Sequence, residues 1–252
     1  MPAAERAIAL DPSLGDAHAD LAFVDFYWLR DSAGARREFQ RALALEPRSA
    51  MVHHWYATFL MTIRAFPLAL REINIAQALD SESTAILTDK GLILFYSGKS
   101  EDALKLLEQL EQAAPAFPSL HRYLASIDLD RGDNAGFLRE LEADAAIRHD
   151  SPGQSLAAAA EKTLAKSGRD AMLKEMVESQ KTLFAQGKMS AYDVALTYAD
   201  LGERDDAMAW LKLSLSRHET DNIAIAVDAP LARLRHEPRF RALLSQAGLP
   251  SG

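Results

Sequence analysis

The 252-residue sequence predicts an all-α fold: a right-handed superhelical solenoid of helix–turn–helix repeats, finished by a C-terminal capping helix. Three observations predict it. Apolar residues recur at helical spacing, as in Leu21, Phe26 and Leu29 and then Phe39, Ala42 and Leu43,. A frame of turn residue, small residue and large apolar residue returns every 34 residues: Arg30, Ala35, Phe39; then Arg64, Ala69, Ile73; then Gly98, Ala103, Leu107. Prolines close several of these units, at Pro12, Pro47 and Pro115. Self-similarity at a fixed period decides architecture before any single residue does.

This frame resembles the tetratricopeptide repeat, a helix–turn–helix unit of the same length. The resemblance is carried by the small residues Ala35, Ala69, Ala103 and Ala207, the apolar residues Phe39, Ile73, Leu107 and Leu211, and the three prolines. Gly91 and Tyr198 fit the glycine and aromatic of the family's first helix, while Ala57 and Leu60 stand in for them elsewhere. The resemblance covers nearly the whole chain. It implies stacked helical hairpins whose first helices line a hollow face, and says little about a ligand. The family's clamp of lysines and asparagines for a C-terminal carboxylate is missing, since Asp20, Val24, Thr58 and Thr62 occupy those positions.

The elements follow from the frame in order. Residues 1–12 form a partial repeat, AERAIALDP, reading as a second helix without its partner; the expectation is that more chain precedes it in a larger bacterial signalling or regulatory protein. Full repeats are expected at 16–49, 50–83, 84–117, 118–151, 154–187 and 188–221, with turns at positions 30, 64, 98, 132, 168 and 202. Ser100 is expected to cap its helix. The run His149–Asp150–Ser151–Pro152–Gly153 reads as a boundary, after which the frame resumes two residues late. Beyond Arg217 the pattern dissolves into HETDNIAIAVDAP, and 222–252 form an end cap in which Leu231, Leu234, Phe240, Leu243 and Leu244 close the core,. The ending, HEPRFRALL and then GLP, resembles repeat segments downstream of bacterial winged-helix regulators and adenylate cyclase-like proteins. The whole chain makes one domain, because each unit touches only its neighbours along one continuous core.

Composition narrows the function. Lys and Arg number 28 against 36 Asp and Glu, a net charge of -8, so direct nucleic-acid binding is disfavoured, because it draws on phosphate neutralisation. No apolar run approaches the length of a membrane span, and the N-terminus is no signal peptide. The cytoplasm is the expected compartment, or the periplasm if the parent protein is anchored. There is no cysteine, hence no disulfide and no thiolate chemistry. Adjacent His53 and His54 point about 100° apart on a helix, and no His pair has zinc spacing. Phosphate loops and the GxSxG elbow are also missing. No catalytic, cofactor or metal residue is expected, and paired acids such as Asp205 and Asp206 read as favourable charge at a helix start.

Projecting the frame onto the hollow face gives a groove lined by Tyr27, Trp28, His54, Thr58, Thr88, Phe95, Tyr96, Arg122 and Tyr192. Aromatics and arginine are the types enriched where proteins dock. The expected function is therefore a non-catalytic module that binds a partner protein or peptide there. One rival is a small-molecule sensor or enzyme, with its pocket at the 150–154 junction or under Ile223–Pro230. The other is a scaffold that self-associates into a homo-oligomer.

Overall fold

The structure is a computed structural model that describes residues 2–250. Its described residues are helical, with no strand among them. A single helix, α1 (Pro2–Leu10), precedes six hairpins. These pair α2 (Gly15–Tyr27) with α3 (Ser32–Leu45), α4 (Ala50–Thr62) with α5 (Phe66–Leu79), and α6 (Thr84–Tyr96) with α7 (Ser100–Ala113). They continue with α8 (Pro118–Arg131) and α9 (Asn134–Ile147), α10 (Ser151–Ser167) and α11 (Arg169–Ala185), and α12 (Ala191–Leu201) and α13 (Arg204–Ser216). Two 3-10 segments, Asp221–Ala224 and Ala229–Leu234, lead to α14 (Pro238–Gln246).

The repeat frame explains why each hairpin bends where it does. All six turn positions, Arg30, Arg64, Gly98, Gly132, Gly168 and Gly202, have positive φ, between 55 and 85°. This left-handed residue lets the chain reverse between paired helices. At the other end, Asp31, Ser49, Ser83, Asp133 and Ser190 each accept a backbone N–H of their helix's first turn, worth about 1 kcal/mol apiece. Ser100 is not such a cap. It is already the first residue of α7, Lys99 precedes it, and Glu101 and Asp102 supply the favourable charge there,.

Inside the hairpins, Ala35, Ala69, Ala103 and Ala207 are fully buried, as are Ile73, Leu107 and Leu211. The small residue lets the facing helix approach closely. The most extreme approach is at Gly91, where a Cβ would lie 2.4 Å from Leu107 Cδ2. The 149–153 run is not a loop boundary. α10 starts at Ser151, with Pro152 in its first turn, where a missing N–H costs nothing,. His149, at φ 55°, makes the turn, so the two-residue delay is absorbed by helix.

The tail up to residue 250 does more than close the end of the stack. Leu231, Leu234, Phe240, Leu243 and Leu244 are buried as expected, and α14 packs on α13. Yet they share one apolar cluster with Phe26, Phe59, Ile93 and Leu120 of the first four hairpins. Polar contacts explain how. Arg30 donates to Asn222 Oδ1 at 3.1 Å, and the Ser32 hydroxyl donates to the Gly248 carbonyl. The segment after α13 therefore runs back to the first hairpin and joins both ends of the stack. A second cluster, around Phe137, Leu156, Met172 and Met176, forms the core of the fourth and fifth hairpins.

Candidate functional site

The concave face is the candidate site, and the chain's own tail occupies part of it. Its centre is Asp228, between the two 3-10 segments. Tyr96, at the end of α6, donates its hydroxyl to one carboxylate oxygen of Asp228. Tyr192, at the start of α12, donates to the other at 2.5 Å. Arg235 holds the carbonyls of Val227 and Asp228 at 2.7 and 3.1 Å. Burial pushes the Asp228 carboxyl up, against the two tyrosines, which favour its charged form,. Both phenols are driven well above the ordinary tyrosine range by burial and then by Asp228. The three groups thus form a clasp between the third hairpin, the sixth and the tail, with Tyr96 and Asp228 half-buried.

The sequence-derived groove residues fall into different environments. Thr88, Phe95 and Tyr192 are buried, although Phe95, with Tyr96 and Arg122, still borders the chamber described below. The Thr88 hydroxyl has no hydrogen-bond partner at all. Tyr96 is engaged by the tail. Thr58 donates to its own helix at Trp55 O, 2.9 Å away. His54 Nε2 lies 2.7 Å from Asp89 Oδ2, and the other Asp89 oxygen accepts from Tyr123 at 3.0 Å. This polar ladder ties α4, α6 and α8 side by side. Tyr27 stacks on Phe23 with centroids 4.1 Å apart, and burial pushes its hydroxyl up to about 12. Trp28 is 61% exposed at the stack's first turn. Arg122 is exposed and leans on the Tyr123 ring at 5.6 Å.

Beyond the clasp the concave face stays open as a chamber of about 500 Å³, walled by α8 to α12 and by Asp228, Ala229 and Pro230 of the tail. Asp150 and Gly153 also line it. The two places at which the sequence suggested a pocket thus border one chamber. Phe137, Leu156, Met176 and Leu196 give it an apolar lining, and methionine adapts to varied shapes,. Arg169 is committed to Asn134 Oδ1 at 2.7 Å, Leu129 O at 3.2 Å and Asp200 at 3.5 Å. Burial nevertheless pushes Asp200 up to about 6, with Arg169 opposing and Asp130 adding to the rise. Against the apolar wall sits Gln180, 6% exposed, whose side-chain oxygen has no hydrogen-bond partner. Such a buried, unpaired oxygen costs about 1–3 kcal/mol.

Sequence reasoning missed Asp228, Asp89, Tyr123 and Gln180. One signal was present: Asp228 is a lone carboxylate within IAIAVDAP, and an acid in an apolar run must find donors when it is buried. The other three sit in ordinary repeat positions with no such mark. Among the described residues one trio, Glu111, His121 and Glu140, brings potential metal-ligating atoms within 4.8 Å of one another. Both His121 nitrogens face acceptors, Glu140 Oε2 at 2.8 Å and Pro115 O at 2.7 Å.

No protein-family model matches the sequence, and no curated protein matches it. Solved structures do. PilW, described as a widely conserved type IV pilus biogenesis factor, has a TM-score of 0.59 and 20% identity over 74% of this chain and 84% of its own. PilF of Pseudomonas aeruginosa has a TM-score of 0.55 and 23% identity, covering 82% of this chain and 92% of its own. Yeast Tom70 gives 0.55 and 17%, covering 96% of this chain and 52% of its own. Nothing in these structures supports the likeness of the chain's ending to regulator or cyclase segments. At such identities the likeness concerns the fold, and the chain has a tetratricopeptide-like fold.

Proposed function

We propose that the chain is a non-catalytic interaction module that takes an apolar segment of a partner peptide into the chamber between α8 to α12 and the tail. The observation that carries this is the apolar wall of Phe137, Leu156, Met176 and Leu196 facing an open chamber. The apolar lining would receive a large side chain, and exposed Arg122 stands at the chamber's edge. A chamber formed before the partner arrives lowers the ordering cost of binding. The groove reading thus narrows to one half of the concave face, because the tail fills the other. That a similar fold serves in a pilus biogenesis factor accords with work in assembly.

The volume favours one second reading, since about 500 Å³ lies within the range of small-molecule sites. One experiment separates the two. A random peptide library is panned against the protein and against Leu196→Trp, in which the larger ring fills the chamber. Enrichment of peptides with one large apolar residue, bound by the parent and lost by the variant at equal helicity, supports the proposal. If enriched peptides bind both proteins alike, or none is enriched while small apolar compounds raise the melting temperature of the parent alone, the peptide reading fails.

A further inference from the structure

Three hairpins carry an identical polar device that the peptide reading does not use. His18 Nδ1 lies 2.7 Å from Glu38 Oε2, and its Nε2 lies 3.3 Å from Pro12 O. His53 repeats this with Glu72 Oε2 at 2.7 Å and Pro47 O at 3.2 Å. His121 repeats it again with Glu140 Oε2 at 2.8 Å and Pro115 O at 2.7 Å. In each case the carbonyl belongs to the linker before the hairpin, the histidine to its first helix, and the glutamate to its second. The histidine therefore fixes how one repeat is set on the next.

The protonation state follows from counting donors. A carbonyl can only accept, and so can an ionised carboxylate. A neutral imidazole carries one N–H and can satisfy only one of them. Both bonds are made together only by the imidazolium. The charged groups around it agree. An arginine precedes each glutamate, and Arg71 and Arg139 donate to the other oxygen of Glu72 and Glu140 at 2.7–3.0 Å. Arg37 precedes Glu38. Beside His121, α7 adds Glu111, while the ring's partner Glu140 shares a cavity with Glu108, Glu111, Asp128, Arg131, Asp133 and Arg139. Burial works against the charged His121 ring, but Pro115 O, Glu140 and Glu111 outweigh it and raise its pKa.

The third hairpin supplies an internal control. There the proline position is Ser81, the histidine position Leu87, and the glutamate position Leu106. Both leucines pack on the apolar core. The three polar members are thus present together or replaced together, as expected if they act as one unit. A buried ion pair and a pair of apolar residues are alternative solutions to the same joint, but only the ionic one responds to pH.

We propose that His18, His53 and His121 are pH-sensitive joints of the superhelix, tight as imidazolium and loosened as the ring loses its proton. The free histidine titrates near 6.5. For His121, whose pKa is raised in the fold, the contribution is full below that value and is lost as pH rises through the higher, folded one. Setting of the linkers, and with it the curvature of the concave face, then depends on pH across the neutral range.

The test begins with the unaltered chain. Its seven histidines include His149, His218 and His236, which are exposed and serve as internal references in a ring-proton NMR titration. The proposal requires three histidine signals that stay protonated to higher pH than these references. Loss of the proton with or before them overturns it. A second measurement follows urea midpoints from pH 5.5 to 8.5 in His53→Leu with Glu72→Leu, which copies the third hairpin, and in the same pair of changes at His121 and Glu140. Each variant should fold and lose part of the parent's decline in midpoint with rising pH. A decline unchanged in both variants refutes the joint.

Discussion

Replacing Asp228 with alanine removes the group on which the tail's docking turns. Two phenol-to-carboxylate bonds are lost, from Tyr96 and Tyr192. Bonds to a charged partner contribute about 1.5–3 kcal/mol each, so the pair amounts to about 3–6 kcal/mol. Burying the carboxylate has its own cost, visible in the upward push on Asp228, and relief of that cost offsets part of the loss. About 2–4 kcal/mol of destabilisation should remain. Urea unfolding can show where it falls, because Trp28 and Trp55 report on the first two hairpins and Trp210 on the sixth. In the parent, Trp210→Phe and the double variant Trp28→Phe, Trp55→Phe should give coincident transitions, since the tail joins both ends. In the Asp228→Ala background the two transitions should separate. An unchanged midpoint with coincident curves would refute the clasp.

Phe240→Ala empties a fully buried ring position and should cost about 3–5 kcal/mol by urea denaturation, although α14 lies outside the repeats. Gly248→Ala places a Cβ 1.9 Å from Arg30 O at a φ of +69°; a lowered melting temperature and faster proteolysis of the last residues should follow. Burial pushes Asp128 and Asp200 each up to about 6, above the unfolded value of about 4. The native state then holds protons that the unfolded state has released, so these groups favour the fold below about pH 4, and this support is lost as pH rises through 6. Asp200→Asn should accordingly flatten the fall in urea midpoint between pH 4 and 6.

The hairpins were legible because their physics is local and periodic. Ala35, Ala69 and Ala103 mark close helix contacts, and all six turn positions of the frame have positive φ, while His149 and Gly187, between hairpins, fall outside it. The repeat expected from residue 154 begins three residues earlier, with α10 at Ser151. The tail was legible in kind but not in place. Its leucines announced burial, yet nothing local says that Gly248 meets Ser32 more than two hundred residues away. That contact depends on how far six hairpins curl, a sum of small angles that no single repeat encodes. The same limit governs the site. Tyr96 and Tyr192 stood out as aromatics on a hollow face, but their partner Asp228 lay where the period had dissolved. Gln180 looked like any polar residue of a degenerate repeat, and only its packing shows its side-chain oxygen without a partner.

The account turns on the tail lying within the superhelix and reaching its first hairpin. Because the chain has no cysteine, Ala33→Cys and Ser245→Cys, both at exposed positions, can carry a pair of spin labels without background. Pulsed electron spin resonance should return one narrow population at short distance, which broadens and lengthens in Asp228→Ala. A broad, long distribution in the parent protein would contradict the docked tail, and with it the closed stack and the chamber it walls.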